Sequence, residues 1–447
     1  MRRNSLIVIG ALWLPLALGA CSSLPSWLGG EKAPDKPKTE GKREEVLPVL
    51  EQLQPDDELK DVALQLPPAT ENSDWPQHSA GLSAAQTNLA IKGFSEDDSA
   101  TIGDGEEFSH LLIPRPVVAA GKVFAMDAAG YISAHDAARI DKVLWESKGL
   151  AEEDEPELFG GGLAYYDGKL YAVSGRGTVA AFDAGNGKQL WQKTIIVPFR
   201  SAPWVAGDKM FAVTIDNQIF AFSTANGDIL WSQRGIGETA GLITSSSPLA
   251  EGNRLIVPYS SGDIYALTAE DGQEIWHESL ATSAQSRSAS VFSGVGGDPV
   301  IDGRVVIAVS SGGTLTVFNL ETGQRVWSRP LSSLNNPWVT GDYLYVLTAD
   351  NVLVCFVKFN GKIRWSTQLV SFENQKEKKN PIRWSGPVMV GGKLALVGSH
   401  GILQLLSATD GTLLEKHKIE EGIVTPPVVA GGRMYLVGPE ANLYSLY

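Results

Sequence analysis

At 447 residues, with 43% hydrophobic and 20% charged positions, the chain has the means to bury a large core, which excludes wholesale disorder and allows one large domain or several small ones. Its 37 Lys and Arg against 51 Asp and Glu leave a formal net charge of −14, which excludes the counterion-releasing grip on a nucleic-acid backbone. Only Cys21 and Cys355 are present, so a disulfide framework and a Cys-based zinc site are excluded too.

The chain opens with Arg2 and Arg3, an apolar run from Leu6 to Ala17, and then Leu18-Gly19-Ala20-Cys21. Basic, apolar and small residues in that order read as a secretory signal, too short to span a bilayer. The stretch resembles the bacterial lipobox, which implies cleavage after residue 20 and lipidation of Cys21. Ser22 follows rather than the Asp that retains enterobacterial lipoproteins at the inner membrane, so the resemblance implies the outer membrane, facing the periplasm. From Ser22 to Thr70 the chain carries seven prolines, ten acids, six bases and one aromatic residue, too little apolar surface to order itself. Residues 21–70 therefore read as the lipidated Cys and a disordered tether.

From residue 116 onward one unit recurs eight times, beginning at Pro116, Gly162, Pro203, Pro248, Pro299, Pro337, Pro387 and Pro427. In the second copy the segments Leu163 to Tyr166, Lys169 to Val173, Thr178 to Phe182 and Lys188 to Trp191 alternate with Asp-Gly, Gly-x-Gly and Asp-x-x-x-Gly turns, which predicts four short antiparallel strands. Helical periodicity is missing beyond the signal region. A four-stranded unit at this spacing predicts an all-β, eight-bladed β-propeller over residues 71–447, about 47 residues per blade. The eighth copy lacks its outer strand, so an N-terminal strand is expected to close the last blade, and Ser73 to Gln77 with Trp75 is the expected donor. The six tryptophans at 145, 191, 231, 276, 327 and 365, all but Trp145 preceded by a Gly-x-x-x pattern, read as packing residues over a neighbouring turn.

Catalytic parts are hard to find. The repeat G-(K/D/Q)-x-(L/I/V)-W, as in Gly187 to Trp191 and Gly323 to Trp327, resembles that of pyrroloquinoline quinone (PQQ) enzymes and their relatives, which implies adjacent cysteines and a calcium shell in the redox members. Cys355 stands alone in the apolar stretch Val352 to Phe356 and reads as an inert core thiol. The histidines at 78, 110, 135, 277, 400 and 417 show no ligand spacing, no Gly-Lys pair is followed by Ser or Thr, and the acid-rich run Glu152 to Glu157 lacks the alternation of a calcium loop. No catalytic, cofactor-binding or metal residue is assigned. The connections between blades vary far more than the turns within them, which suits a binding scaffold.

Lipobox, charged tether and eight PQQ-like blades together resemble the BamB family, the propeller lipoproteins of the outer-membrane β-barrel assembly (BAM) machinery. The resemblance implies a non-catalytic scaffold, a monomer within a hetero-complex, that docks on the POTRA domains of BamA and assists unfolded outer-membrane protein clients. The family's docking loop, which carries apolar residues and an arginine, falls on Ile195 to Arg200, so Val197, Phe199 and Arg200 are the expected partner-binding residues. The family's aspartates in the following connection are replaced by Ile243-Thr244-Ser245-Ser246-Ser247. A PQQ-type periplasmic dehydrogenase and a free-standing periplasmic chaperone are the alternative readings.

Overall fold

The computed structural model describes residues 53–59, 62–78, 87–105, 114–151, 160–236, 246–280, 294–423 and 425–447. The signal segment, Cys21 and the acid-rich run at 152–157 lie outside the described residues. Eight four-stranded antiparallel sheets follow one another around a β-propeller, with blades 1 to 7 spanning residues 117–147, 161–194, 204–234, 249–279, 300–330, 338–368 and 384–418. No α-helix occurs among the described residues. Blade 2 consists of Gly161–Tyr166, Lys169–Ser174, Thr178–Asp183 and Gln189–Thr194, close to the strands expected from the turn residues. Its two middle strands are buried almost throughout and its outer strand is mostly exposed, as a sheet stacked between two others requires.

What binds one blade to the next is visible in a repeated tryptophan and glycine. Trp145 lies over Gly187 of blade 2 so closely that a Cβ there would come within 2.5 Å of the indole, and Gly187 also takes a φ of +73°. Trp191, Trp231, Trp276, Trp327 and Trp365 repeat the contact on Gly227, Gly272, Gly323, Gly361 and Gly411. Each indole N–H also donates across the gap, for example Trp276 to the Leu320 carbonyl at 2.9 Å and Trp327 to that of Lys358 at 2.7 Å. The six tryptophans are thus packing residues, as their spacing indicates.

Blade 8 has three strands of its own, Val428–Ala430, Arg433–Val437 and Asn442–Leu446, and an N-terminal strand completes it. That strand is Glu96–Thr101, with Ser99 opposite Tyr444 and Thr101 opposite Asn442, and not the segment around Trp75. The reason lies in the neighbour. Blade 1 turns through Ala137-Ala138-Arg139-Ile140 without a glycine, and the fully buried Ile140 fills the space itself, so no seat exists there for a tryptophan.

Trp75 lies instead on the axis. Its backbone N–H donates to the Val118 carbonyl at 2.6 Å, the Val118 N–H returns the bond to its carbonyl at 2.9 Å, and its ring stacks on Trp338 with centroids 6.4 Å apart. Around it one stretch of chain touches the inner strands of successive blades. Asn72 bonds to blade 8 at Val429 and Gly431, the Asp74 carboxylate accepts the Ala120 N–H of blade 1, the Pro76 carbonyl accepts Tyr165 of blade 2, and Gln77 forms two bonds with Val205 of blade 3. The segment runs from the turns at one end of the axis to the blade connections at the other.

Order also begins earlier than the tether reading allows. Leu53 is buried in the cluster that holds Ile363, a short 3-10 turn spans Asp57–Leu59, and Leu64 and Leu66 pack against the apolar core that runs through blades 6, 7, 8 and 1. Residues 53–59 and 62–70 are thus docked on the propeller, because apolar residues every few positions suffice once a ready-made surface supplies the other half of the burial.

Candidate functional site

The connections between blades share one face of the ring with the turns between second and third strands. At its centre a funnel of about 650 Å³ is lined by His78, Arg115, Asn336, Asp350, Trp384 and their neighbours. Asp298 anchors its floor. The carboxylate meets His78 Nδ1 at 2.7 Å, accepts from Asn336 at 2.8 Å and accepts the Ser247 N–H at 2.7 Å. Burial alone would raise this carboxyl, but His78, the charge of Arg115 and the Ser247 N–H outweigh it and hold Asp298 well below the usual carboxylate range. Burial in turn lowers the Arg115 guanidinium, with Asp298 opposing.

This cluster does not suit a quinone with its calcium ion. Its buried carboxylate, Asp298, already has its oxygens engaged, no group of three or more potential metal ligands lies together among the described residues, and residues 72–78 fill the axis beneath. The sequence carries no local signal for it, since His78 and Asp298 are 220 residues apart. Ser246 and Ser247, at the place of the family's aspartates, face inward: Ser246 Oγ donates to the Gly297 carbonyl at 3.0 Å and Ser247 belongs to the Asp298 cluster.

The expected docking loop is split by the structure. Phe199 is buried edge-on against Phe220 and Phe222, and Arg200 is buried with its guanidinium donating to the Pro258 carbonyl of blade 4. Their backbone explains why. Phe199 N–H bonds to the end of the preceding blade's second strand at Ser174, and the same bond recurs from Val295 to Tyr259, Ser333 to Ser310 and Ile423 to Gly398. Phe199 and Arg200 therefore occupy repeat positions that lock one blade to the next, and both are buried where the expectation needs them at the surface of the loop. Val197 is half-buried at the loop's surface.

The exposed part of the loop is Ile196, 99% accessible. Two further isoleucines, both about half exposed, are brought to it: Ile215, whose N–H donates to the Pro198 carbonyl at 3.0 Å, and Ile236, whose carbonyl accepts Asn217 Nδ2 at 3.0 Å. Arg234, largely open to solvent, and the half-buried Asp216, paired at 2.9 Å, border them. An apolar centre with a charged rim is the composition of a protein-binding patch. A cue existed in the sequence, because Thr214-Ile215-Asp216-Asn217 places an isoleucine in a turn where polar residues are usual.

Comparison with known proteins agrees with this architecture. A solved structure of BamB from Moraxella catarrhalis superposes with a TM-score of 0.63 at 17% identity, covering 79% of this chain and 97% of that one. A quinohemoprotein alcohol dehydrogenase from Comamonas testosteroni reaches a TM-score of 0.67 at 13% identity over 84% of this chain and 81% of its own, a likeness of fold alone. BamB of Escherichia coli K12 is 28% identical over 350 residues, which are 77% of this chain and 86% of that protein. The family model described as outer membrane protein assembly factor BamB matches residues 128–367, more than half the chain, and the chain belongs to that family.

Proposed function

We propose that this chain is a non-catalytic scaffold of outer-membrane protein assembly, which presents the Ile196, Ile215 and Ile236 patch to the POTRA domains of BamA and so holds unfolded β-barrel clients near their site of insertion. The observation that carries the reading is the patch itself: three isoleucines from two blades gathered at the surface of a rigid, closed ring with an ion pair at their edge. Family membership supplies the setting. The arginine expected beside the apolar residues is then Arg234, the exposed one, in place of Arg200. Attachment to the outer membrane is assigned to a lipid on Cys21, with the ring facing the periplasm.

Equilibrium binding to the periplasmic region of BamA tests the docking. Ile196→Asp and Ile236→Asp should each weaken binding by about tenfold or more, since each removes an apolar anchor worth about 1.4 kcal/mol or more, with the melting temperature unchanged. Wild-type affinity in both would move the docking surface elsewhere. The anchor is tested by acyl labelling of wild type and Cys21→Ala followed by fractionation; an unlabelled wild type would remove it.

A further inference from the structure

In blades 3, 6 and 7 the penultimate residue of the third strand pairs with the first residue of the outer strand, Ile229, Ile363 and Leu413, and in blade 1 it pairs with Val143, further along a longer outer strand. Ile363 is 3% exposed, whereas Val143, Ile229 and Leu413 are 45%, 50% and 48% exposed. The difference is the chain's own strap. Leu53 enters the apolar cluster of Ile363, the Asp56 N–H donates to the Ile363 carbonyl at 2.9 Å, and the Asp56 carboxylate accepts the Ile363 N–H at 2.6 Å. One residue thereby satisfies both backbone groups of a blade edge. Glu58 pairs with Lys362, and Arg364 donates to the carbonyls of Leu59 and Val62.

We propose that the outer edge of blade 3 around Ile229 is a second docking groove of this design, whose ligand is an extended segment of a partner protein bearing an apolar residue, an Asp or Asn three positions later and a Lys or Arg five positions later. The strap shows which groups such an edge recognises. The change of charge follows from Asp228, which stands where blade 6 has Lys362, so the place of Glu58 calls for a cation. Asp228 is bonded to Lys193 at 2.9 Å, but both side chains are about half exposed, and such surface pairs exchange readily. Leu230, in place of Arg364, adds apolar surface. Blade 7 has the uncharged Thr412 at the equivalent position, and the outer hairpin of blade 1 departs from the common register at two places, so blade 3 is the edge with both the shape and a charge to select. The groove stands independently of the loop patch and of its partner.

The test uses the mature full-length protein and two fluorescent peptides, residues 51–64 of this chain as they stand and with Glu58→Lys. Blade 6 is filled by the tethered strap at high effective concentration, and its Lys362 disfavours the altered peptide. The altered peptide should bind saturably and at least fivefold more tightly than the unaltered one at low salt. Ile229→Asp should weaken it at least tenfold, Leu413→Asp should leave it unchanged, and Asp228→Lys should reverse the preference between peptides. Ile229 is half exposed, so an unchanged melting temperature separates loss of the groove from loss of the fold. No saturable binding by the altered peptide, equal effects at Ile229 and Leu413, or an unreversed preference in Asp228→Lys would each overturn the proposal.

Discussion

Asp298 shows how single residues divide between holding the ring and serving its surface. Its carboxylate is fully enclosed with His78 and Arg115, so Asp298→Asn leaves buried positive charge and should cost about 3–5 kcal/mol at neutral pH, measured by denaturant titration. The pH dependence has a definite sign. A carboxyl whose folded pKa lies below its unfolded value adds stability above the unfolded value, about 3.9, and loses it as pH falls toward the folded one. Wild type should therefore lose stability from about pH 4 downward, and Asp298→Asn should show a shallower acid limb. Phe199 belongs with the structural residues. Phe199→Ala should lower stability by about 3–5 kcal/mol through the cavity it leaves, in contrast to Ile196→Asp, which should not change it measurably. Periodicity could not tell these two loop residues apart, because exposure in a connection depends on which carbonyl the next strand offers its N–H.

Among elements, the N-terminal pieces have separable jobs, and truncation resolves them. A chain beginning at residue 53 should melt with the mature protein, since the strap, the axial segment and the closing strand all remain. Beginning at residue 87 removes the strap and Trp75 but keeps Glu96–Thr101; burying Leu53 and Trp75 is worth about 2–3 kcal/mol each, so the midpoint should fall by about 5–10 °C in a single transition. Beginning at residue 102 bares the edge of Asn442–Leu446, and aggregation should follow, seen by light scattering. Equal melting of the second and third chains would show that the closing strand contributes nothing. That strand was hard to read in advance, because Glu-Asp-Asp-Ser-Ala-Thr has neither alternation nor β-branched enrichment. Its partner's unpaired edge selects it, not its own propensity.

At the scale of the whole ring, six of the eight junctions between blades are pinned by a tryptophan and N-terminal segments bind the ends of the ring together, so the ring should open as one. Cys355 reports this without an added probe: it is wholly buried in a middle strand of blade 6, and burial pushes its thiol far above the usual range, with Tyr345 and Arg364 offsetting only part. A thiol reagent at about pH 8 should therefore modify Cys355 only at the rate at which tryptophan fluorescence reports unfolding; faster labelling would mean that blade 6 opens alone. The sequence by itself determined the number of blades, the strands within them and the purpose of six tryptophans, because each rests on alternation, turn residues and a glycine at fixed local spacing, repeated often enough to be unmistakable. Tertiary structure alone decided that Trp75 lies on the axis, that His78 meets Asp298, that Leu53 covers Ile363 and that Ile196, Ile215 and Ile236 share a surface. These pairings occur once each and join distant segments, and what selects them is the surface left open when the repeated parts have closed.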